Sequence, residues 1–168
     1  MDDLHDTGMG HDHHAAPDPA TPDHLELRVW LRMLACTAMV EKQLRTRLRE
    51  RFDTTLARFD LLAQLDRFPE GLVMGELSRR LMVTHGNVTG LIDRLAAENL
   101  VERRPVPGDR RVQLVRLTPA GKEVFAAMAP AHREWVAELF RSVPHSDLAA
   151  FHAQLGAVKA SIQAADGA

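Results

Sequence analysis

Within one short segment the chain carries Thr84, His85, Asn87, Thr89 and Arg94, interleaved with Gly86 and Gly90. Read as a helix, Val88, Leu91, Ile92 and Leu95 fall on one side by the i, i+3, i+4, i+7 rule. At about 100° per residue the opposite side presents Gly86, Gly90, Asp93 and Ala97, flanked by Asn87, Thr89 and Arg94. Asn and Arg make bidentate contacts with adenine and guanine edges, and Thr can donate, accept or meet a thymine methyl. A glycine inside a helix costs about 1 kcal/mol against alanine. Two on an outward face make sense if the backbone must approach another surface closely. The helix N-terminus and Thr84 suit a phosphate, and His85 sits where DNA would lie. Thr84, His85, Asn87, Thr89, Gly90 and Arg94 are therefore candidate contacts to duplex DNA. The alternative for this segment is an ordinary surface helix that tolerates two glycines.

Charge supports the nucleic-acid reading. The net charge of −2 hides an acidic start: residues 1–23 hold Asp2, Asp3, Asp6, Asp12, Asp18 and Asp23 and no Lys or Arg. Between Arg79 and Arg116, Arg79, Arg80, Arg94, Arg103, Arg104, Arg110, Arg111 and Arg116 outweigh Asp93, Glu98, Glu102 and Asp109. A local arginine excess is the footprint of a phosphate-binding surface, or else a solvated basic face. Arg110 and Arg111 suit the negative potential of a minor groove. Asp109 beside them is positioned to orient one of them by an ion pair, or to serve as a turn residue.

Other chemistry is poorly supplied. No Ser-His-Asp or Cys-His arrangement can be placed and no phosphate-cradling glycine loop is present, so an enzyme is not expected. No cofactor site is expected. Cys36 is the single cysteine, which excludes a disulfide framework and a cysteine-based zinc site. Its place inside a long helix suggests a buried, inert thiol. His5, His11, His13 and His14 crowd a tail that otherwise has almost nothing to bury. Such a tail, lacking fixed partners, makes a poor selective metal site. No metal ligands are therefore assigned. The apolar residues form no run near the roughly 20 needed to cross a bilayer. The polar acidic start is unlike a secretory or transit peptide. A cytoplasmic protein without membrane contact is expected.

The elements that would position these groups follow from local patterning. Residues 1–20 read as a disordered tail. Thr21-Pro22-Asp23 opens a helix reaching about Arg51, with Trp30, Leu34, Val40, Leu44 and Leu48 as an apolar stripe. At about 1.5 Å per residue that helix is about 45 Å long, more than a small domain covers by itself. Thr54-Thr55 starts a shorter helix ending at Pro69-Glu70-Gly71. A third follows over Met74–Leu81. The helix bearing Asn87 and Arg94 runs from Thr84 to Glu98, where Asn99 stops it in a left-handed cap. Residues 100–104 and 112–117 read as strands joined by a long basic tip from Pro105 to Arg111. Thr118-Pro119 opens another long helix that Pro144 breaks. Ser146 caps the last helix, whose Leu148, Phe151, Leu155, Val158 and Ile162 are spaced as a coiled-coil seam.

The runs Leu91-Ile92-Asp93-Arg94-Leu95, Leu100-Val101-Glu102-Arg103-Arg104, Asp109-Arg110-Arg111 and Leu117-Thr118-Pro119-Ala120-Gly121 resemble, in order and spacing, the signature of the MarR family of bacterial regulators. The likeness spans roughly residues 24–164. It implies a mainly α fold: a winged helix-turn-helix with long N- and C-terminal dimerisation helices. The expected DNA-binding core is 54–117, within a domain of 21–168, with dimerisation helices at 21–51 and 118–164. The resemblance also implies a homodimer on a near-palindromic double-stranded operator, usually a repressor released by a small ligand. Asn99 departs from the glycine common before the wing, which is conservative for a left-handed cap.

The runs Arg58-Phe59-Asp60-Leu61-Leu62 and Gly75–Gly90 are similar to regulators of aromatic-acid catabolism, most of all those answering hydroxycinnamoyl-CoA thioesters. Arg28, Trp30, Arg32 and Phe59 are then candidate contacts to an aryl-CoA effector. A free aromatic acid, or a metal caught by the histidine-rich tail, are the alternatives.

Overall fold

The computed structural model describes residues 24–81, 84–106 and 109–166. The expected tail over 1–20 with His5, His11, His13 and His14, and the expected helix start at Thr21-Pro22-Asp23, lie outside the described residues. The side chains of His85, Asp109, Arg110 and Arg111 do too. The chain divides into two compact units, Met1–Cys36 and Thr37–Ala168.

Among the described residues, six helices and three strands follow in the order α1 (Leu25–Phe52), α2 (Leu56–Arg67), β1 (Leu72–Val73), α3 (Met74–Leu81), α4 (His85–Ala97), β2 (Val101–Val106), β3 (Asp109–Leu117), α5 (Pro119–Phe140) and α6 (His145–Asp166). The chain is thus mainly helical, with one small antiparallel sheet in the order β1-β3-β2. That is the winged-helix arrangement expected from the sequence.

In the first unit, several apolar residues of α1 are exposed. Leu27, Trp30 and Leu34 are about half exposed. Cys36 is also exposed, contrary to the expected buried thiol. A long helix alone buries nothing; it needs a facing layer, which Leu44 and Leu48 of the second unit find.

In the second unit, Leu48, Phe59, Leu62, Leu65, Leu77, Val88, Ile92, Leu95 and Val115 belong to one core cluster. The expected caps largely form. Thr55 closes the start of α2 by accepting from Arg58 N at 3.3 Å. Thr118 does the same for α5, accepting from Gly121 N at 3.0 Å. Thr84 occupies the cap position of α4, but its side chain makes no capping bond. Ser146 does not cap α6. That helix starts one residue earlier, with the Pro144 carbonyl taking the first N–H groups, from Asp147 and Leu148.

The sheet differs from expectation in two ways. The sequence showed no β1, a two-residue strand pairing Leu72 with Val115 and Val73 with Leu114. Gly71 leads into it at φ 99, and a Cβ there would meet the Val115 carbonyl oxygen at 2.9 Å. The expected long basic tip is also mostly strand. Asp109 pairs with Val106, so Asp109, Arg110 and Arg111 begin β3, with only residues 107–108 between the strands. Pro105 is compatible with β2 because β2 is an edge strand, and the register shifts beside it.

Candidate nucleic-acid interface

The outward face of α4 is built as its periodicity implies. Val88, Ile92 and Leu95 are fully buried and Leu91 nearly so, which turns the other side of the helix to solvent. Gly86, Asn87, Asp93 and Arg94 are exposed, and Thr89 and Gly90 are half-buried. A Cβ added at Gly86 or Gly90 would meet nothing within 4 Å, so packing inside the chain does not require either glycine. Asn99 ends the helix at φ 57, as its type allows.

The arginine excess divides once partners are known. Arg103 Nη2 lies 2.6 Å from Asp93 Oδ1, tying β2 to the outward face of α4. Arg104 and Arg116 both reach Glu102, at 3.2 and 2.5 Å. Arg80 pairs with Glu76 at 2.6 Å and lies over the Phe68 ring at 4.2 Å. These four arginines are struts of the wing and of α3. Arg79 and Arg94 are exposed and carry no ion pair among the described residues, so they retain their charge for a phosphate or a base. Asp93, which would repel DNA as a bare carboxylate, is neutralised by Arg103.

A second site lies between α2 and α5. A cavity of about 1020 Å³ is lined by Phe59, Phe125, His132 and Phe140, with Arg67 and Arg133 among its charged groups. The Phe59 ring stacks on His132 at 4.2 Å and 21° and approaches Phe125 at 5.5 Å. Burial lowers the His132 pKa, so this ring favours its neutral form. Of the expected effector contacts, Phe59 is part of this aromatic wall. Arg28, Trp30 and Arg32 belong to the first unit, Trp30 with its ring about half exposed. Among the described residues no cluster of His, Cys, Asp or Glu is placed to hold a metal ion. No described helix is long and apolar enough to cross a membrane.

Comparison with known proteins decides the family. Residues 52–112 match the model described as "MarR family". The transcriptional activatory protein BadR of Rhodopseudomonas palustris is 33% identical over 138 residues, covering 79% of this chain and 78% of that one. The crystal structure of a MarR family transcriptional regulator from Silicibacter pomeroyi superposes with TM-score 0.70 at 35% identity, covering 84% of this chain and 99% of that one. The chain belongs to the MarR family. A further structure, Sco3205 of Streptomyces coelicolor in complex with DNA, shares the fold with TM-score 0.74 at 23% identity, over 88% of this chain and 94% of that one. MarR proteins are DNA-binding transcription regulators and not enzymes, and that holds for this one.

In this MarR protein the sequence reading missed His132 and Arg133. Only apolar positions were sought along α5, yet His132 follows Phe125 by two helical turns and so shares its face. It also missed Asp60, which lines the cavity beside Phe59. Burial, aided by Glu41, raises the Asp60 carboxyl to about 6. A carboxyl raised by folding favours the folded state while protonated, and that advantage is lost as pH climbs from the unfolded value through about 6. Asp60→Asn should therefore stabilise the protein at pH 7.5 by about 1 kcal/mol once solvent screening is allowed for, or about 2–4 °C in Tm. The gain should vanish near pH 4. Thermal unfolding at both pH values checks this, and an equal gain at each would refute it.

Proposed function

We propose that this MarR protein is a ligand-responsive repressor of aromatic-acid catabolism that reads a near-palindromic operator as a homodimer. In this reading α4 enters the major groove. Asn87, Thr89 and Arg94 contact base edges, Gly90 lets the backbone approach, and Thr84 and His85 hold phosphate. Arg110 and Arg111 of the wing enter the adjacent minor groove, and Asp109 orients one of them. The observation that carries it is the outward face of α4: polar base-reading side chains, two glycines that packing does not require, and an Arg94 without an ion pair among the described residues.

A second copy supplies the missing cover for the long helices. Leu25, Leu27, Trp30, Leu31 and Leu34 on α1, and Phe151, Val158 and Ile162 on α6, are large apolar groups left exposed in one chain. Surfaces of this kind at both ends of a chain suit a symmetric interface, and two-fold symmetry favours a palindromic operator.

The effector in this reading is an aryl-CoA thioester. The aromatic wall at Phe59 suits its ring, and Arg28 and Arg32, beside Trp30 in the sequence, are of the type that pairs with its phosphates. A DNA-shift assay on the gene's own upstream region tests the whole reading. The thioester of 4-hydroxycinnamate should release the DNA at low concentration, with the free acid and CoA alone much poorer. A free acid as potent as its thioester would replace the CoA reading with an aromatic-acid sensor. Release by neither would remove the effector reading. Sedimentation of the protein as an 18.7 kDa monomer would overturn the dimer. The relative from R. palustris is described as activating transcription, so loss of promoter activity on deletion of the gene would reverse the sign proposed here.

A further inference from the structure

The geometry points to Arg58 and Glu98 as the pair that sets the angle of α4 against the rest of the winged domain, and so tunes how well it reads DNA. This inference rests on the assignment of α4 as the reading helix. Arg58 lies on α2, and Glu98 is the residue that closes α4. Arg58 Nη1 donates to Glu98 Oε1 at 2.6 Å, and Nη2 donates to Oε2. A bidentate guanidinium–carboxylate pair fixes direction as well as distance. The bonds to Arg58 hold the Glu98 carboxyl below the usual carboxylate range, so the pair is charged at neutral pH.

The same end of α4 is held from a second side. Thr118 Oγ1 donates to the Asn99 carbonyl at 2.6 Å, and Thr118 N donates to the Leu100 carbonyl at 3.1 Å. The two mounts differ in stiffness. The one at Thr118 is buried and partly backbone. The one at Arg58 joins two long side chains, 23% and 46% exposed, and can yield. The helices that carry them form different walls of the aromatic cavity. Phe59 and Asp60, next to Arg58, line one wall, and α5, which Thr118 caps, supplies the other. A shift of α2 against α5 therefore moves one mount and leaves the other in place. That tilts α4 about the fixed mount at Asn99 and swings its N-terminal end.

Arg58→Gln, Glu98→Gln and the reversed pair Arg58→Glu with Glu98→Arg test this, each measured on the gene's upstream duplex and on random duplex over a range of salt. Each single variant should lose about three- to tenfold in affinity for the upstream duplex while random-duplex binding stays within about twofold. The salt slope of the single variants should not change, because neither residue neutralises a phosphate. The reversed pair should recover most of the missing preference. Glu98→Gln alters an exposed side chain and carries the same test if Arg58→Gln fails to fold. Variants that keep the full preference, or a reversed pair as poor as the singles, would overturn the positioning role. An unaltered protein with no preference for its upstream duplex would instead overturn the assignment of α4.

Discussion

Gly121→Ala is expected to cost at least about 3 kcal/mol of folding stability, and Gly121→Val to leave little folded protein. Gly121 is buried in the first turn of α5. A Cβ at this position would lie 1.9 Å from the Leu100 carbonyl oxygen and 2.9 Å from its carbon. Both atoms are backbone, so no rotamer change relieves the clash, and α5 would have to lift away from the α4–β2 junction. Lifting it would break the two Thr118 bonds that hold Asn99 and Leu100. Gly75→Ala is the control, because a Cβ there meets nothing within 4 Å. It should be neutral or stabilising by up to about 1 kcal/mol, since alanine favours the helix. Urea unfolding with unchanged m-values gives both numbers. A cost below about 1 kcal/mol for Gly121→Ala would mean that the junction is far softer than its geometry implies.

The double substitution Asn87→Ala with Arg94→Ala should remove most of the preference for the operator. A bidentate hydrogen-bond pair to a base edge is worth about 1–3 kcal/mol of discrimination. The two residues lie two helical turns apart on α4, so the effects of replacing them should nearly add. Both side chains are exposed and neither shares a bond with the core, so unfolding should stay as in the parent. Arg111→Ala is the contrasting case. It should weaken operator and random duplex alike and flatten the salt dependence by about one unit, as when one phosphate is no longer neutralised. Binding isotherms on both duplexes at several salt concentrations separate the two behaviours. If the Asn87/Arg94 variant loses affinity equally on both duplexes, α4 holds the backbone and does not read bases.

Much of this protein was legible before its structure. The burial of Val88, Ile92 and Leu95 is a property of one helix, and a period of 3.6 residues writes it directly into adjacent positions. The same is true of the Thr55 and Thr118 caps and of the left-handed Asn99, because each depends on a residue's own torsions and on neighbours a few positions away. The run Leu117–Gly121 carried the family, and the structure supplies its reason: Thr118 and Gly121 together seat α5 on Asn99 and Leu100.

Interactions between distant positions had no local signal. Two residues of β1 cannot announce a strand; they become one only because β3 passes beside them. The pairing of Asp109 with Val106 likewise turned an expected loop into strand. Which arginines are paired depended on Arg103 meeting Asp93 and on Arg104 and Arg116 sharing Glu102. Charge is countable along a chain, but neutralisation is a matter of distance in space. The Phe59–His132 stack and the Arg58–Glu98 pair join α2 to α5 and to the end of α4, across 40 residues in the second case. The sequence by itself determined which face α4 buries and which family the fold follows, because those depend on short-range order. Only the tertiary structure decided which charges are neutralised, what lines the cavity and where α4 is held, because those depend on long-range interactions that no local period encodes.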